Sequence, residues 1–403
     1  MSHEQRLALV NATVVHPRRL GAGECLLLRD GTVEYAGPAR RPPAGYRSVD
    51  LDGDYVLPGL IDVHVHGALG RTFNEPDPDA WRTVVDAHAA AGTTGLLATL
   101  ATDRPPALRA ALRAGRRLPA GSGLLGTHLE GPYLNPRFGG AHPPDALRTP
   151  AQLPWPWLLA EADFVRMVTL APELPGSAAL IGALTDRGVV VSAGHSGATG
   201  RELTAARTAG LRHVAHLWSG QSTLAKDGPW RVTGLLETVL ASEGLTAELI
   251  ADGRHLPAEL VRIAHRCLGP DRLCLVSDAS AGTGLAPGSG FAMGAVRGVV
   301  ADGVALGHDG ASFCGSTSHL ADVLRFTVQQ AHVPLVEAVR MAATTPARVL
   351  GLADRTGALV PGLAADVVVL DRDLRVRRVA RAGRWLRDRA PEPHRPEEVP
   401  SHG

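Results

Sequence analysis

The chain is almost without lysine: Lys226 stands alone against forty arginines in 403 residues. It also lacks a charge bias. The 41 basic and 40 acidic side chains leave a formal net charge of +1, so composition gives no reason to expect nucleic acid or an anionic membrane as partner. No run approaches the apolar length of a spanning helix, and MSHEQRLALV does not read as a signal peptide. The four cysteines (Cys25, Cys267, Cys274, Cys314) have no C-x-x-C spacing, which argues against a disulfide framework. These absences point to a soluble cytoplasmic protein.

What the chain does have is centred on THLEG, residues 127–131. The apolar run 123–129 reads as a short buried strand that carries His128 and Glu130 to its carboxyl end, where Gly131 and Pro132 break it. An unpaired buried carboxylate is costly, so Glu130 needs a partner. Histidines at other strand ends supply it: His64 and His66 in IDVHVHG, His195 in VSAGHS and His216 in HVAHLW. Asp278, in LCLVSDAS, adds a second acid.

Short alternating runs with Asp-Gly and Gly-Pro turns make 1–57 β-rich, and GALVPGLAADVVVLDRDLRVRRVARAGRWL repeats that texture near the other end. Between them strands alternate with amphipathic helices. Candidate strands are 59–65, 94–102, 123–129, 164–171, 188–193, 213–217, 247–251 and 272–277, with helices such as 79–91, 177–187, 233–242 and 257–267. Eight such units indicate a (β/α)8 barrel of the TIM type over 58–349. An open doubly wound sheet is the alternative, but it would not gather residues from strands 1, 3, 5, 6 and 8 into one mouth. The end segments, 1–57 and 350–403, are expected to pair into a small β-sandwich, with 290–310 a hairpin or lid, 320–332 and 335–350 closing helices, and a frayed tail after 389.

His64 and His66, two apart on a strand, share a face. Glu130, His195 and His216 make a two-imidazole, one-carboxylate set known from catalytic zinc sites, and His64 with His66 offers a second position sharing Glu130 or Asp278. The expectation is a divalent metal, zinc before iron, manganese or cobalt, as one ion or two. Asp278 has three readings: ligand, loop-capping acid, or general base for a metal-activated water, the last being the simplest. His142, in RFGGAHPP, is either an oxyanion stabiliser or a surface histidine, and His255, in IADGRHLP, is similarly placed to meet substrate. His88, His265 and His332 fall in helical segments and read as ordinary positions.

Taken in order, PGLIDVHVHG, HLEGP, SAGHS-x-AT, HLW, ADGRH and LVSDA resemble the N-acetylglucosamine-6-phosphate deacetylase family of the amidohydrolase superfamily over nearly the whole chain. The resemblance implies Glu130, His195 and His216 as principal metal ligands and His64 with His66 as the pair that holds a second metal in some members. It implies Asp278 as the catalytic aspartate, His142 as the residue polarising the acetamide carbonyl, and His255 as a substrate contact. It also implies a homodimer with substrate contacts across the interface. Hydantoinase-like members bridge two metals through a lysine on strand 4; FVRMVTLAPEL has none here.

Three stretches depart from the pattern. Trp218-Ser219-Gly220-Gln221 replaces an aromatic followed by Asn-Ala-Met, with Lys226 near the place of an arginine. ASFCGSTSHL and ALGRTFNE also differ. The expected activity is deacetylation of an N-acetyl amino sugar 6-phosphate, with Lys226, His255, Ser219 and the amide of Gly220 meeting the phosphate. Alternatives are an unphosphorylated or modified N-acetyl amino sugar, an N-acyl amino acid, or a non-catalytic metal-binding regulator.

Overall fold

A computed structural model describes residues 6–388 except 308, 309 and 311; the segment after 389 expected to fray lies outside the described residues. Eight parallel strands run in barrel order: β1 Leu60–Val65, β2 Thr93–Leu100, β3 Leu124–Glu130, β4 Val165–Leu170, β5 Val190–Ala193, β6 His213–Val214, β7 Thr246–Leu249 and β8 Leu273–Leu275. Every residue of β1 and β2 is buried, as parallel strands covered on both faces require. The covering helices are amphipathic. Pro78–Ala90 starts at Asp77, whose side chain accepts from the Asp79 amide, and turns Ala80, Trp81, Val84, Val85 and His88 inward.

The seam between β1 and β8 closes partly through a side chain. Asp62 accepts from the backbone N–H of Ser277 at 3.2 Å and of His64 at 3.2 Å. Beyond it, Asp278 N–H donates to the His64 carbonyl at 3.0 Å, and the amides of His66 and Gly67 donate to Ala279 O at 2.8 and 2.9 Å. Burial pushes the Asp62 carboxyl up to about 7 against these donors.

The chain ends meet in a separate mixed sheet of eight strands, hydrogen-bonded as one, in which Tyr55–Pro58 pairs antiparallel with Val367–Leu370. Leu7, Leu9, Leu26, Leu28, Val56, Val367 and Val369 form its core, so neither end segment has a complete core without the other. After β8 the chain builds a four-stranded antiparallel sheet (Gly290–Met293, Val296–Ala301, Val304–Gly307, Phe313–Ser316) tied to the barrel by a bridge between Ala279 and Ser316. The segment expected as one helix over 335–350 is continuous but contains a π-turn at Arg340–Thr344. No described helix is long and apolar enough to cross a membrane.

Candidate metal centre

The carboxyl ends of β1, β3, β5, β6 and β8 converge on Glu130, which is 3% exposed. Its Oε1 lies 2.9 Å from His216 Nε2, 3.1 Å from His195 Nε2 and 3.5 Å from His64 Nε2. Its Oε2 lies 3.3 Å from His66 Nε2 and 3.2 Å from His142 Nε2. Asp278 Oδ1 stands 3.2 Å from His66 Nε2 and 3.7 Å from His64 Nε2.

The backbone is bent to achieve this. His195, Trp218 and Asp278 all have positive φ, at 47°, 70° and 48°, a conformation that costs a non-glycine residue about 1–3 kcal/mol. The turn carrying Trp218 is held by Gln221, which accepts from the Trp218 amide at 3.1 Å and donates to Ala215 O at 2.5 Å. Gly220 is required beside it: at φ 63°, a Cβ there would sit 2.8 Å from His195 Nδ1. Glu173 fixes the loop after β5 by accepting from Ser196 Oγ at 2.7 Å and Gly197 N–H at 2.6 Å.

A layer below, Glu248 on β7 orients the ligands. It accepts from His64 Nδ1 at 2.8 Å, His213 Nε2 at 3.1 Å and the His216 amide at 3.2 Å. His128 lies in the same layer, its Nε2 2.8 Å from Thr169 Oγ1 and its ring 4.6 Å from that of His64.

These contacts fix tautomers, and the tautomers test the metal. A carbonyl only accepts, so His195 Nδ1, 2.9 Å from Phe138 O, carries the proton. By the same logic His64 Nδ1 donates to Glu248. In neutral rings both Nε2 lone pairs then face the carboxylate oxygens of Glu130, acceptor against acceptor. A cation between them removes the conflict; without one, a second proton on the rings does the same, and against burial Glu248 and Glu130 pull His64 well up and Glu130 pulls His195 up. Two ligands at roughly 2.1 Å on a four-coordinate zinc stand about 3.4 Å apart; here the imidazole Nε2 atoms stand 2.9–3.5 Å from the Glu130 oxygens, and within each set all the ligand atoms lie within 4.8 Å of one another. Two such sets share Glu130: His64–His66–Glu130 and Glu130–His195–His216. The residues fit one or two divalent ions.

The electrostatics agree. Burial alone would raise Glu130, but the charges of His64 and His142 and hydrogen bonds from His142 and His195 hold it well below the usual carboxylate range. Burial opposes charging His66, yet Asp278 and Glu130 pull it up to about 9. Asp278 is lowered against burial by the His66 hydrogen bond and the His64 charge. The site attracts positive charge and keeps its acids ionised.

Above the cluster opens a pocket of about 270 Å³. Trp218, Met293, Val296 and Phe313 form an apolar wall, and no lysine or arginine lies among its described lining residues. His255 Nδ1 donates to buried Asp252 at 2.7 Å, and its ring packs 4.3 Å from that of Phe313.

Residues 55–386 match the amidohydrolase family. The chain belongs to the amidohydrolase family. Within it, the chain is 32% identical to the N-acetylglucosamine-6-phosphate deacetylase of Vibrio furnissii over 84% of each protein. It is 33% identical to the N-acetylgalactosamine-6-phosphate deacetylase of Shewanella sp. (strain ANA-3), covering 83% of this chain and 84% of that one. It also superposes with TM-score 0.87 and 32% identity on a point mutant of the N-acetyl-D-glucosamine-6-phosphate deacetylase from Mycobacterium smegmatis, solved in complex with N-acetyl-D-glucosamine-6-phosphate. That match covers 95% of this chain and 100% of the other. The family and the barrel expected from the motifs are the ones found.

In this amidohydrolase, His66, Glu130, His142, His195, His216, Ser219, Gly220, His255 and Asp278 all line the pocket, and His64 lies beneath it. His142 is a buried neighbour of Glu130 rather than a surface histidine. Lys226 is set apart: it sits on an exposed two-stranded hairpin, Ala225–Asp227 with Trp230–Val232, and is not a lining residue. Sequence reasoning missed Glu248, Asp62, Glu173, His213 and Gln221. The first two carried a signal, an acid inside an otherwise apolar strand (TAELIA, LIDVHV).

Proposed function

We propose that the chain hydrolyses the N-acetyl amide of an N-acetylhexosamine 6-phosphate, N-acetylglucosamine 6-phosphate first, releasing acetate and the amino sugar phosphate. The observation that carries this reading is Asp278, ionised, buried and 3.2 Å from His66 Nε2 at the edge of a cation-attracting cluster. A divalent ion, zinc in preference to iron, manganese or cobalt and in one or two positions, supplies when bound the charge that polarises an amide carbonyl and acidifies water. Glu130, His195 and His216 hold it, with His64 and His66 as the second set. Asp278 accepts the water proton at a carboxylate oxygen and passes it to the departing nitrogen. His142 directs Nε2 toward the carbonyl oxygen. His255, its Nδ1 committed to Asp252, offers Nε2 to the substrate.

The phosphate is met by His255, Ser219, the Gly220 amide and Lys226. Since Lys226 projects on a hairpin whose Trp230 is 74% exposed, it acts across the interface of a homodimer. A cytoplasmic enzyme is the corresponding location. A second reading, an unphosphorylated or modified N-acetyl sugar, is favoured by the absence of any lysine or arginine among the described lining residues. Acetate release from N-acetylhexosamines with and without 6-phosphate decides between them. No release from any N-acetyl sugar overturns both. Lys226→Ala should lower kcat/KM roughly tenfold to a hundredfold for phosphorylated sugars only, since hydrogen bonds to charged groups are worth about 1.5–3 kcal/mol. An equal effect on both sugar types removes Lys226 from phosphate binding.

A further inference from the structure

Beside the metal cluster, three barrel loops meet at a carboxylate that belongs to neither ligand set and is not a lining residue of the pocket. This is Glu173, half-buried in the loop after β4. Its Oε1 accepts from Asn135 Nδ2 at 2.9 Å and from the Gly197 amide at 2.6 Å, and its Oε2 accepts from Ser196 Oγ at 2.7 Å. Asn135 comes from the loop after β3, Ser196 and Gly197 from the loop after β5.

The donors are committed in direction. Ser196 Oγ accepts from the Ala198 amide at 3.0 Å, which leaves its single proton for Glu173. Asn135 Oδ1 accepts from the Arg137 amide at 3.0 Å, so Nδ2 is the end turned to Glu173. A carboxylate only accepts and satisfies all three; a neutral amide in its place would turn an N–H against one of them.

What these bonds hold is His195. Its carbonyl accepts from the Asn135 amide at 3.0 Å and its ring Nδ1 donates to Phe138 O at 2.9 Å, so segment 135–138 grips this ligand by backbone and by ring. The two loops fit closely: a Cβ on Gly197 would come within 2.7 Å of the Phe138 ring. The same segment leads on to His142, whose Nε2 is 3.2 Å from Glu130 and whose ring stands 4.8 Å from that of His195. Glu173 thus ties the residues just after His195 to the loop that orients its ring and carries His142. His195 keeps its φ of 47° against backbone preference, and such a conformation persists only where its surroundings over-determine it.

We propose that Glu173 is a positioning residue that pins the loops after β3 and β5 together, and through one carboxylate sets both a metal ligand, His195, and the carbonyl-facing imidazole of His142. This role, which rests on the metal-dependent hydrolysis proposed above, makes metal affinity and turnover depend on a residue that touches neither metal nor substrate.

The test loads the full-length protein with zinc or, for its visible spectrum, with cobalt. Glu173→Gln should weaken zinc, measured by chelator competition, about 10–100-fold, as when a partner that orients a metal-bound imidazole is removed, and should shift the cobalt absorption bands. With N-acetylglucosamine 6-phosphate the loss should fall on kcat with KM little changed, since neither Glu173 nor Asn135 is a lining residue of the pocket. If Glu173→Gln does not fold, Asn135→Ala serves in its place: it removes one donor from the same carboxylate, keeps the backbone bond to His195, and should give both metal changes to a smaller degree. In the double variant the losses should not add, because both substitutions cut one contact. Wild-type zinc affinity with an unchanged cobalt spectrum, or additive losses, overturns the proposal whatever happens to thermal stability. The two metal readouts need no substrate, so a sugar that is not hydrolysed counts against the proposed function and leaves the role of Glu173 to be decided by them.

Discussion

Two buried glutamates stand one above the other in this barrel, both ringed by histidine, and they do opposite work. Glu248 is saturated: two imidazole N–H groups and a backbone amide donate to it at 2.8–3.2 Å. Glu130 is surrounded at similar distances, but His195 and His64 have one ring N–H committed elsewhere, so as neutral rings they turn lone pairs toward it and only an added cation, a proton or a metal, satisfies the contact. The first arrangement is complete with neutral imidazoles; the second needs added positive charge, protons on the rings or a metal ion. Proximity of His to Glu therefore does not define a metal site. What defines it is the direction in which the other ring nitrogen is already bonded.

Substitutions can break this contrast. Glu130→Gln should have the largest effect, loss of metal content together with activity, beyond the about 10²–10⁴-fold that acid–base terms contribute. Elemental analysis showing an unchanged metal content would make Glu130 a merely structural acid. Asp278→Asn should keep the metal and the fold while lowering kcat by about 10²–10⁴-fold, because the amide cannot take a proton. Near-normal turnover would assign the base elsewhere. Glu248→Gln touches neither metal nor substrate, yet it leaves His64 and His213 without a charged acceptor. Metal affinity or activity should fall by about 10–100-fold, with apo-protein stability lowered as well. If Glu248→Gln matched Glu130→Gln in metal loss, the two layers would not be functionally distinct.

A pair of histidines, His88 buried and His319 half-buried, sharpens the comparison by having a carbonyl where the glutamate sites have a carboxylate. His88 Nε2 donates to Gly67 O at 3.1 Å, and its Nδ1 meets His319 Nδ1 at 3.3 Å. Burial first, and then the charge of His319, push His88 down to about 3. Its folded pKa lies below its unfolded one near 6.5, so the unfolded chain binds the extra proton between those values. The stability this neutral pair provides is full above about pH 6.5 and is lost as pH falls toward 3, at up to about 1.4 kcal/mol per pH unit. Denaturant melts of wild type and His88→Gln at about pH 7 and about pH 5 should converge at the lower pH. A constant difference would remove His88 from the acid response.

The mouth was legible in the sequence because chemistry and punctuation coincide there. His64, His66, Glu130, His195, His216 and Asp278 each end an apolar run, and such residues have few structural uses at that place. The layer beneath was marked only by acids inside apolar strands, with no sign of their partners. Glu248 in TAELIA looks like the outward residue of a half-buried strand, and only closure of the barrel turns it onto His64 and His213, 184 and 35 positions away. The Asp62 seam is hidden for the same reason, since its partner Ser277 is 215 residues distant. Lys226 was legible as a chemical oddity but not in position, because the reach of a hairpin is set by its fold.

The solitary lysine has a practical consequence. Apart from the chain's amino terminus, Lys226 is the one primary amine in 403 residues, and it stands exposed on a hairpin outside the pocket. Acylating dyes and amine cross-linkers, which scatter over dozens of sites on an ordinary protein, would here mark only Lys226 and the amino terminus, and the higher pKa of a lysine amine lets pH separate the two. That gives the molecule a ready-made optical handle at the place where a second copy and a sugar phosphate are proposed to meet, installed without altering a single residue.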